Sequence, residues 1–419
     1  MDIEKIVEKK LENKSLSFEE IEFVITAYCN NEIGDREMTP FLKAIFEKGM
    51  TEDEVFDLTI IMQNSGEVVD FGENRHLFVD KHSSGGVSDS TTLALVPLVS
   101  IMGMKILKMS GRSLRHTGGT INKLEVFKNF KTELPLQEAL KIADKIGGAM
   151  ISQSDSLVPA DKKIYALRDR TGYVESLPLI ASSIMSKKLA SGAGTILLDV
   201  KVGDGALMKT NRKAIALAKC MVKIGKKSGR KVVAIISDMS EPLGNSIGDT
   251  LEVCEAIETF KNWKSNLGKL VVEMAGILYA QTFHKSVREG KKLAIKLIEN
   301  GSALAQLKKI VKAQGGEFFD SEKKLKSMPY REILAIKSGF VTKIFAENLG
   351  RLIHENRFLK GQDAGVVLKK KVGDKVSVGD VILLMYDISN ELDVQFENCV
   401  KIGKIKKIRK PIIKKIINK

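Results

Sequence analysis

The amino-acid sequence predicts an α/β protein, with a mixed or largely parallel sheet domain facing a separate helical domain and followed by a small C-terminal β-rich domain. Three observations lead there. Strand-length and helix-length apolar runs alternate between residues 77 and 237. Capped helical segments occupy residues 1 to about 65, and helices return from 160 to 192. Beyond about residue 336, short Val- and Ile-rich runs are separated by glycine. With 419 residues, 43% of them hydrophobic, the chain can build more than one core.

Each element has a local cause. Ser15-Leu16-Ser17-Phe18-Glu19-Glu20 sets a capping serine, Ser17, ahead of an acidic first turn. Thr51-Glu52-Asp53-Glu54 has the capping-box pattern, and Val55, Leu58, Thr59 and Met62 keep helical spacing behind it. Leu77-Phe78-Val79-Asp80 reads as a buried strand, LALVPLVSIMGM at 93–104 as a buried helix, and Met104–Met109 as the next strand. Thr195–Val200, Lys213–Lys226 and Lys231–Ser237 repeat the alternation. The helical domain is therefore expected in two pieces, 1–68 and 160–193. They interleave with an α/β domain at 69–159 and 194–335. The last domain, 336–419, is expected to be α+β. Its stretch GVVLKKKVGDKVSVGDVILLMYD alternates and turns at Gly373-Asp374 and Gly379-Asp380. Lipoyl and biotinyl carrier modules share that pattern, but no Met-Lys or Asp-Lys-Ala turn stands out to carry the group. A structural role is expected.

Composition narrows the function classes. No apolar run approaches the ~20 residues that span a bilayer, and Met1-Asp2-Ile3-Glu4 lacks the basic-then-apolar order of a secretory signal. Cys29, Cys220, Cys254 and Cys399 are scattered, without ligand-cluster or disulfide spacing. The expectation is a cytoplasmic protein with reduced thiols. Of the net charge of +15, nine positive charges lie in the last nineteen residues, leaving +6 for the other 400. That tail, KIGKIKKIRKPIIKKIINK, has recurrent isoleucine and no aromatic residue to stack on bases. It reads as a partly buried strand with solvated lysines, its isoleucines packing on the small β domain, and not as a nucleic-acid arm.

Two loops carry the chemistry. Asp80-Lys81-His82-Ser83-Ser84-Gly85-Gly86-Val87-Ser88-Asp89-Ser90-Thr91-Thr92 follows one predicted strand and precedes a helix. Glycines allow close backbone approach, the helix start offers free N–H groups, Lys81 adds charge, and Ser83 and Thr92 add donors. The order GxxxxGK is absent, so this is not a Walker loop. Ser110-Gly111-Arg112-Ser113-Leu114-Arg115-His116-Thr117-Gly118-Gly119-Thr120-Ile121-Asn122-Lys123-Leu124-Glu125 follows the next strand. Two such loops at one sheet edge can enclose a single phosphate.

The second loop resembles the signature of the thymidine and pyrimidine-nucleoside phosphorylases, and the first resembles their phosphate loop. The likeness runs through most of the chain and is strongest from Val79 to Glu255. It implies phosphate contacts at Lys81, His82, Ser83, Thr92, Lys108, Ser110 and Thr120, and base contacts at Arg168, Ser183 and Lys187, with His82 beside pyrimidine and sugar. Ser183 and Lys187 stand four apart, on one helical face. The likeness also implies a potassium ion held by Ser88, Ser90, Leu243, Ser246 and Glu255, partly through backbone carbonyls, and a homodimer. Ser88, Ser90 and Ser246 replace the family's glycine, threonine and alanine, Ser113 and Arg115 replace small residues, Asn122 replaces aspartate, and Val202-Gly203-Asp204-Gly205 departs from the usual small-residue version. None of these departures removes a matched contact.

The resemblance implies a pyrimidine-nucleoside phosphorylase, with His82, Arg168 and Lys187 as its catalytic residues. Inorganic phosphate would be the co-substrate; no organic cofactor, membrane or specific nucleic-acid partner is expected. Lysine at 108, where thymidine-restricted members tend to be apolar, implies that uridine, deoxyuridine and thymidine are all cleaved. The alternatives are a thymidine-restricted phosphorylase, an anthranilate-type phosphoribosyltransferase needing a diphosphate site and usually Mg²⁺, and a basic nucleic-acid-binding protein.

Overall fold

The computed structural model describes residues 1–113, 118–154, 156–408 and 410–418. Its first part is a bundle of the helices Ile3–Leu11, Phe18–Cys29, Asp35–Lys48 and Glu52–Gln63. The caps act as the sequence implies: Ser17 and Thr51 each close a capping box with the glutamate three residues on. Val55, Leu58, Thr59 and Met62 are all buried. The helices Pro159–Thr171 and Leu177–Ala190 return to this bundle, and Leu157, Ile164, Leu167 and Leu179 share its apolar core with Ile25, Phe41 and Leu58.

The larger domain is α/β. Strands β1 (Val79–Ser83), β2 (Ile106–Ser110), β3 (Gly148–Ser152), β4 (Thr195–Val202) and β5 (Lys231–Asp238) follow in chain order. β1 pairs in parallel with β4, β4 with β5, and β2 with β3. A parallel bridge, Phe78 to Lys105, joins the two groups into the order β3-β2-β1-β4-β5. Beyond that bridge no ladder links β1 and β2 among the described residues, so their carboxyl ends part. In open α/β sheets, ligands bind at the carboxyl ends of strands where the strand order reverses, here at β1.

β4 is buried along its whole length, as a parallel strand covered on both faces must be. Successive side chains go to opposite faces. Leu197, Val233 and Ile235 join the core under the helices Thr91–Ile101 and Asn266–Phe283. Ile196, Leu198, Val200, Ala234 and Ile236 join the core under Leu177–Ala190 and Asn211–Lys227.

The C-terminal region is β-rich. One sheet has the order β6-β9-β11-β7, with β6 (Ser246–Ile247), β7 (Tyr330–Leu334), β9 (Gly365–Leu368) and β11 (Val381–Tyr386). The other has the order β10-β8-β12, with β8 (Gly339–Ile344), β10 (Lys375–Val376) and β12 (Val400–Gly403). β6 and β7 thus join this region from before residue 336. The last strand, β13 (Ile413–Ile417), corrects one expectation. The tail divides: Ile402, in β12, packs in the small β domain as expected, but β13 does not; it adds antiparallel to β5 and closes that edge of the main sheet. Ile417 enters the core beside the helix Asn211–Lys227, while Ile416 is 46% exposed. An unpaired β5 edge would leave its backbone groups open, and an edge strand with outward lysines covers it safely.

Ile417→Ala should therefore cost about 2 kcal/mol, the low end for a buried isoleucine, and Ile416→Ala no more than about 0.5 kcal/mol. Urea unfolding of both variants checks this. Equal losses would place the tail's packing elsewhere.

Candidate active site

Above the parted ends of β1 and β2 lies a cavity of about 760 Å³. Its sheet-side wall is His82, Ser83, Ser84, Gly85, Gly111, Arg112, Ser113 and Gln153; its helical wall is Asp161, Tyr165, Arg168, Ile180, Ser183, Ile184 and Lys187. A smaller pocket of about 160 Å³ adjoins it, lined by Thr92, Lys108, Ser110, Thr120 and Lys188 and sharing His82, Ser83, Gly111, Gln153 and Lys187 with the larger one. Six of the seven expected phosphate residues (His82, Ser83, Thr92, Lys108, Ser110, Thr120) thus surround one small space, and all three expected base residues line the large one.

The small pocket is built to attract anions. The helix Thr91–Ile101 starts there, and Thr92 in its first turn lines the pocket. Four lysines are buried around and beneath it, Lys81, Lys108, Lys188 and Lys201, against three aspartates, Asp80, Asp89 and Asp199. Asp80 accepts from Lys188 at 2.6 Å and lies 3.5 Å from Lys108. Asp89 accepts from the Ser83 hydroxyl at 2.6 Å, and Lys201 contacts Asp199. With Lys108 protonated, the set carries one positive charge more than its carboxylates meet, in a medium of low dielectric. Lys81, the seventh expected phosphate residue, lines neither cavity. Its ammonium donates to Thr91 Oγ1 at 2.6 Å and lies 3.8 Å from Asp89 and 3.9 Å from Asp199, beneath the loop.

Burial sets the charge states. It pulls the Lys108 ammonium down to about 7, against the attraction of Asp80. Burial first, and then Lys188, Lys108 and Lys187, hold the His82 imidazole well below its ordinary range. His82 is therefore neutral at physiological pH, with one ring N–H to donate.

On the helical wall, Lys187 pairs with Asp161 and lies 3.1 Å from Ser183 Oγ, so the four-residue spacing does bring serine and lysine together. Arg168 is almost fully buried and spends three donors on the carbonyls of Tyr173 (3.2 Å), Leu179 (3.2 Å) and Val174 (2.7 Å). These bonds fix the guanidinium at the cavity wall. Sequence reading missed Asp161, Tyr165 and Gln153. Asp161 and Tyr165 carried a signal, since with Arg168 they repeat at helical spacing along one face of Pro159–Thr171. Asp161 Oδ1 is buried with no hydrogen-bond partner among the described residues.

Of the signature loop, Leu114, Arg115, His116 and Thr117 lie outside the described residues. Its ends are close-packed: a Cβ on Gly119 would sit 2.1 Å from the Ser113 nitrogen. Asn122 Oδ1 accepts from the Ser113 N–H at 2.8 Å, so its side-chain oxygen anchors the loop as an acceptor.

The expected ion residues divide. Glu255 accepts from the Asn245 and Ser246 N–H groups at 2.7 and 2.9 Å, and burial pushes its carboxyl up from its ordinary value. A Cβ placed on Gly244 would lie 2.4 Å from Glu255 Oε2 and 2.6 Å from Ser88 Oγ, and that hydroxyl is buried with no hydrogen-bond partner among the described residues. Ser88, the Gly244 and Ser246 backbone and Glu255 thus pack together, with Leu243 next in the chain. Ser90 does not join them; its hydroxyl donates to Glu252 at 2.9 Å, beside Lys123.

Residues 75–304 match the glycosyl transferase family a/b domain, and residues 4–66 match that family's helical bundle domain. Fold and site together define a glycosyl transferase of this two-domain class. Over 402 residues the chain is 46% identical to a pyrimidine-nucleoside phosphorylase of Staphylococcus epidermidis, covering 93% of this chain and 92% of the relative. It is 44% identical over 401 residues to one of Staphylococcus aureus, with the same coverages. The chain belongs to the pyrimidine-nucleoside phosphorylase family. The anthranilate phosphoribosyltransferase of Thermus thermophilus shares the fold, with a TM-score of 0.60 at 16% identity over 75% of this chain and 100% of its own.

The buried charge network makes a prediction about stability. Asp80→Asn strips compensation from Lys108 and Lys188 at once and should cost about 3 kcal/mol or more. Urea unfolding measures it; a loss below about 1 kcal/mol would mean that water already screens these lysines.

Proposed function

We propose that this chain catalyses the reversible phosphorolysis of uridine, deoxyuridine and thymidine to the free base and (deoxy)ribose 1-phosphate. One observation carries this reading: a small, cation-surplus pocket opens directly into a larger cavity whose far wall bears Arg168, Ser183 and Lys187. Phosphate in the small pocket and base against the helical wall would place the sugar between them, at His82 and Ser83. A phosphoribosyltransferase must hold a diphosphate; the 46% identity to a pyrimidine-nucleoside phosphorylase, against 16% to the anthranilate phosphoribosyltransferase, favours phosphorolysis.

In this reading the reaction is one of charge placement. Phosphate attacks the anomeric carbon as the glycosidic bond breaks, and the bonding electrons leave with the base. Arg168 and Lys187 face the negative charge that builds on the pyrimidine. Neutral His82 donates its N–H toward the base O2 and helps that step without first losing a proton. Thr92, Ser110 and Thr120 supply hydroxyls, Ser83 joins them by turning its hydroxyl from Asp89, and Lys108 supplies a charge to the phosphate oxygens. Asp161 holds Lys187 in place. No classical general base is needed, since phosphate brings its own charge.

The reading extends to a potassium ion held by Ser88, Leu243, Ser246 and Glu255. The unpartnered Ser88 hydroxyl and the buried Glu255 carboxylate fit a hard monovalent cation, which would neutralise the carboxylate and stiffen the phosphate loop. It also extends to a cytoplasmic homodimer joined through a helical domain made of 1–68 and 160–193; Leu11, Phe18 and Phe46 leave apolar surface exposed on its first helices.

Uridine should disappear with phosphate present and persist without it; consumption independent of phosphate would overturn the reading. Breadth rests on Lys108, which can serve the uridine 2′-hydroxyl directly or through phosphate. Wild type should therefore discriminate between thymidine and uridine by less than about a thousandfold in kcat/KM, roughly 4 kcal/mol. Lys108→Met should widen the preference for thymidine; an unchanged ratio would remove Lys108 as its cause.

The pH dependence follows from the Lys108 value of about 7. Below that pH the side chain is charged and contributes a charged hydrogen bond to phosphate; above it the contribution fades. Lys108→Met should raise the phosphate KM by roughly ten- to a hundredfold near pH 6, the ~1.5–3 kcal/mol of such a bond. The contrast should shrink by pH 8.5. Taking the ratio to wild type cancels phosphate's own titration, and a flat ratio would show that Lys108 does not titrate in this range.

A further inference from the structure

Lys371 is a buried cation that neither substrate cavity contains. It lies in the turn between β9 and β10 of the C-terminal region, yet its ammonium reaches the α/β domain. There it donates to the backbone carbonyls of Pro242 and Gly244, the latter at 3.0 Å, and comes within 4.0 Å of the Glu241 carboxylate. The residue is only 8% exposed. A lysine gives up hydration and rotamer freedom to be held there, so those oxygens must replace its water.

The segment it grips braces the loop that follows β1. The Leu243 N–H donates to the Val87 carbonyl at 3.2 Å, and the Gly244 N–H to the Ser88 carbonyl at 3.4 Å. The same loop is held from the same side by packing: the Val87 side chain is buried in the apolar core of the C-terminal region, with Val341, Ala346 and Val366. Ser83 precedes Val87 and Thr92 follows it, and both line the small anion pocket. A chain of contacts therefore runs from the C-terminal region through Lys371 and the 242–244 segment to the phosphate loop.

We infer that Lys371 is a positioning residue for phosphate: its ammonium clamps the 242–244 segment, and the C-terminal region sets phosphate affinity through it. The inference rests on reading the small pocket as the phosphate site. Without the ammonium, two buried carbonyls lose a partner and the brace on Val87 and Ser88 loosens. The loss should fall on phosphate, because the base-binding wall is on other elements.

The test compares Lys371→Met, Lys371→Arg and the control Lys370→Met, which removes a neighbouring charge that pairs with Asp380 at 3.0 Å. Steady-state kinetics give KM for phosphate and for uridine, and thermal unfolding with and without inorganic phosphate gives a readout independent of turnover. Lys371→Met should raise the phosphate KM about tenfold while kcat and the uridine KM stay within about twofold, and should shrink the phosphate-induced rise in Tm. Lys371→Arg should restore most of both, and Lys370→Met should match wild type. A phosphate KM within about twofold of wild type, a parallel rise in the uridine KM, or the same effect from Lys370→Met would overturn the inference. Lys371→Gln, which keeps N–H donors, carries the same test if the methionine variant does not fold, with an intermediate phosphate KM expected and a wild-type KM overturning it. If wild type itself shows neither phosphate-dependent turnover nor a phosphate-induced Tm rise, the reading of the pocket fails first and the clamp falls with it.

Discussion

Everything at the site depends on where two strands stop bonding to each other. β1 and β2 meet through the Phe78–Lys105 bridge, where the Val79 N–H donates to the Lys105 carbonyl at 2.8 Å, and then each turns to a different partner. Had the ladder continued, Lys81 to Ser83 and Lys108 to Ser110 would close on each other as sheet. Because it stops, the two loops that follow face a gap, and the gap becomes the small pocket. The loop after β1 takes left-handed backbone at Gly85 (φ 89°) and at Ser88 (φ 60°). The two loops are held apart by a sheet whose other pairings, β1 to β4 and β2 to β3, are complete.

Holding charge beside that gap is the second constraint. Lysines stay buried only where carboxylates or oxygens replace water, and Asp80, Asp89 and Asp199 do so for Lys108, Lys188, Lys81 and Lys201. The compensation falls one charge short. The deficit also acts at a distance, since the same lysines help keep the His82 imidazole neutral.

The C-terminal region is a third participant. Its sheet takes β6 from the middle of the chain, its core takes Val87 from the phosphate loop, and Lys371 reaches back to Pro242 and Gly244. A region that looked purely structural from its turns is thus fastened to the loop that matters most.

Much of this was legible beforehand because it is local. Caps at Ser17 and Thr51, the strand–helix alternation that yields β4 and β5, the glycine-rich loops after β1 and β2, and the Ser183–Lys187 spacing all follow from residues within a few positions of one another. What the sequence could not determine are the contacts made across long separations: the β13 edge lying on β5 and not on the small β domain, Lys81 turning beneath its loop, Ser90 turning to Glu252, and Asp161 meeting Lys187. Side-chain type says that a lysine carries charge and a serine donates, but only the packed chain decides which buried oxygen lies within reach. A buried polar group takes the nearest partner that removes its desolvation cost, and that partner is set by tertiary structure.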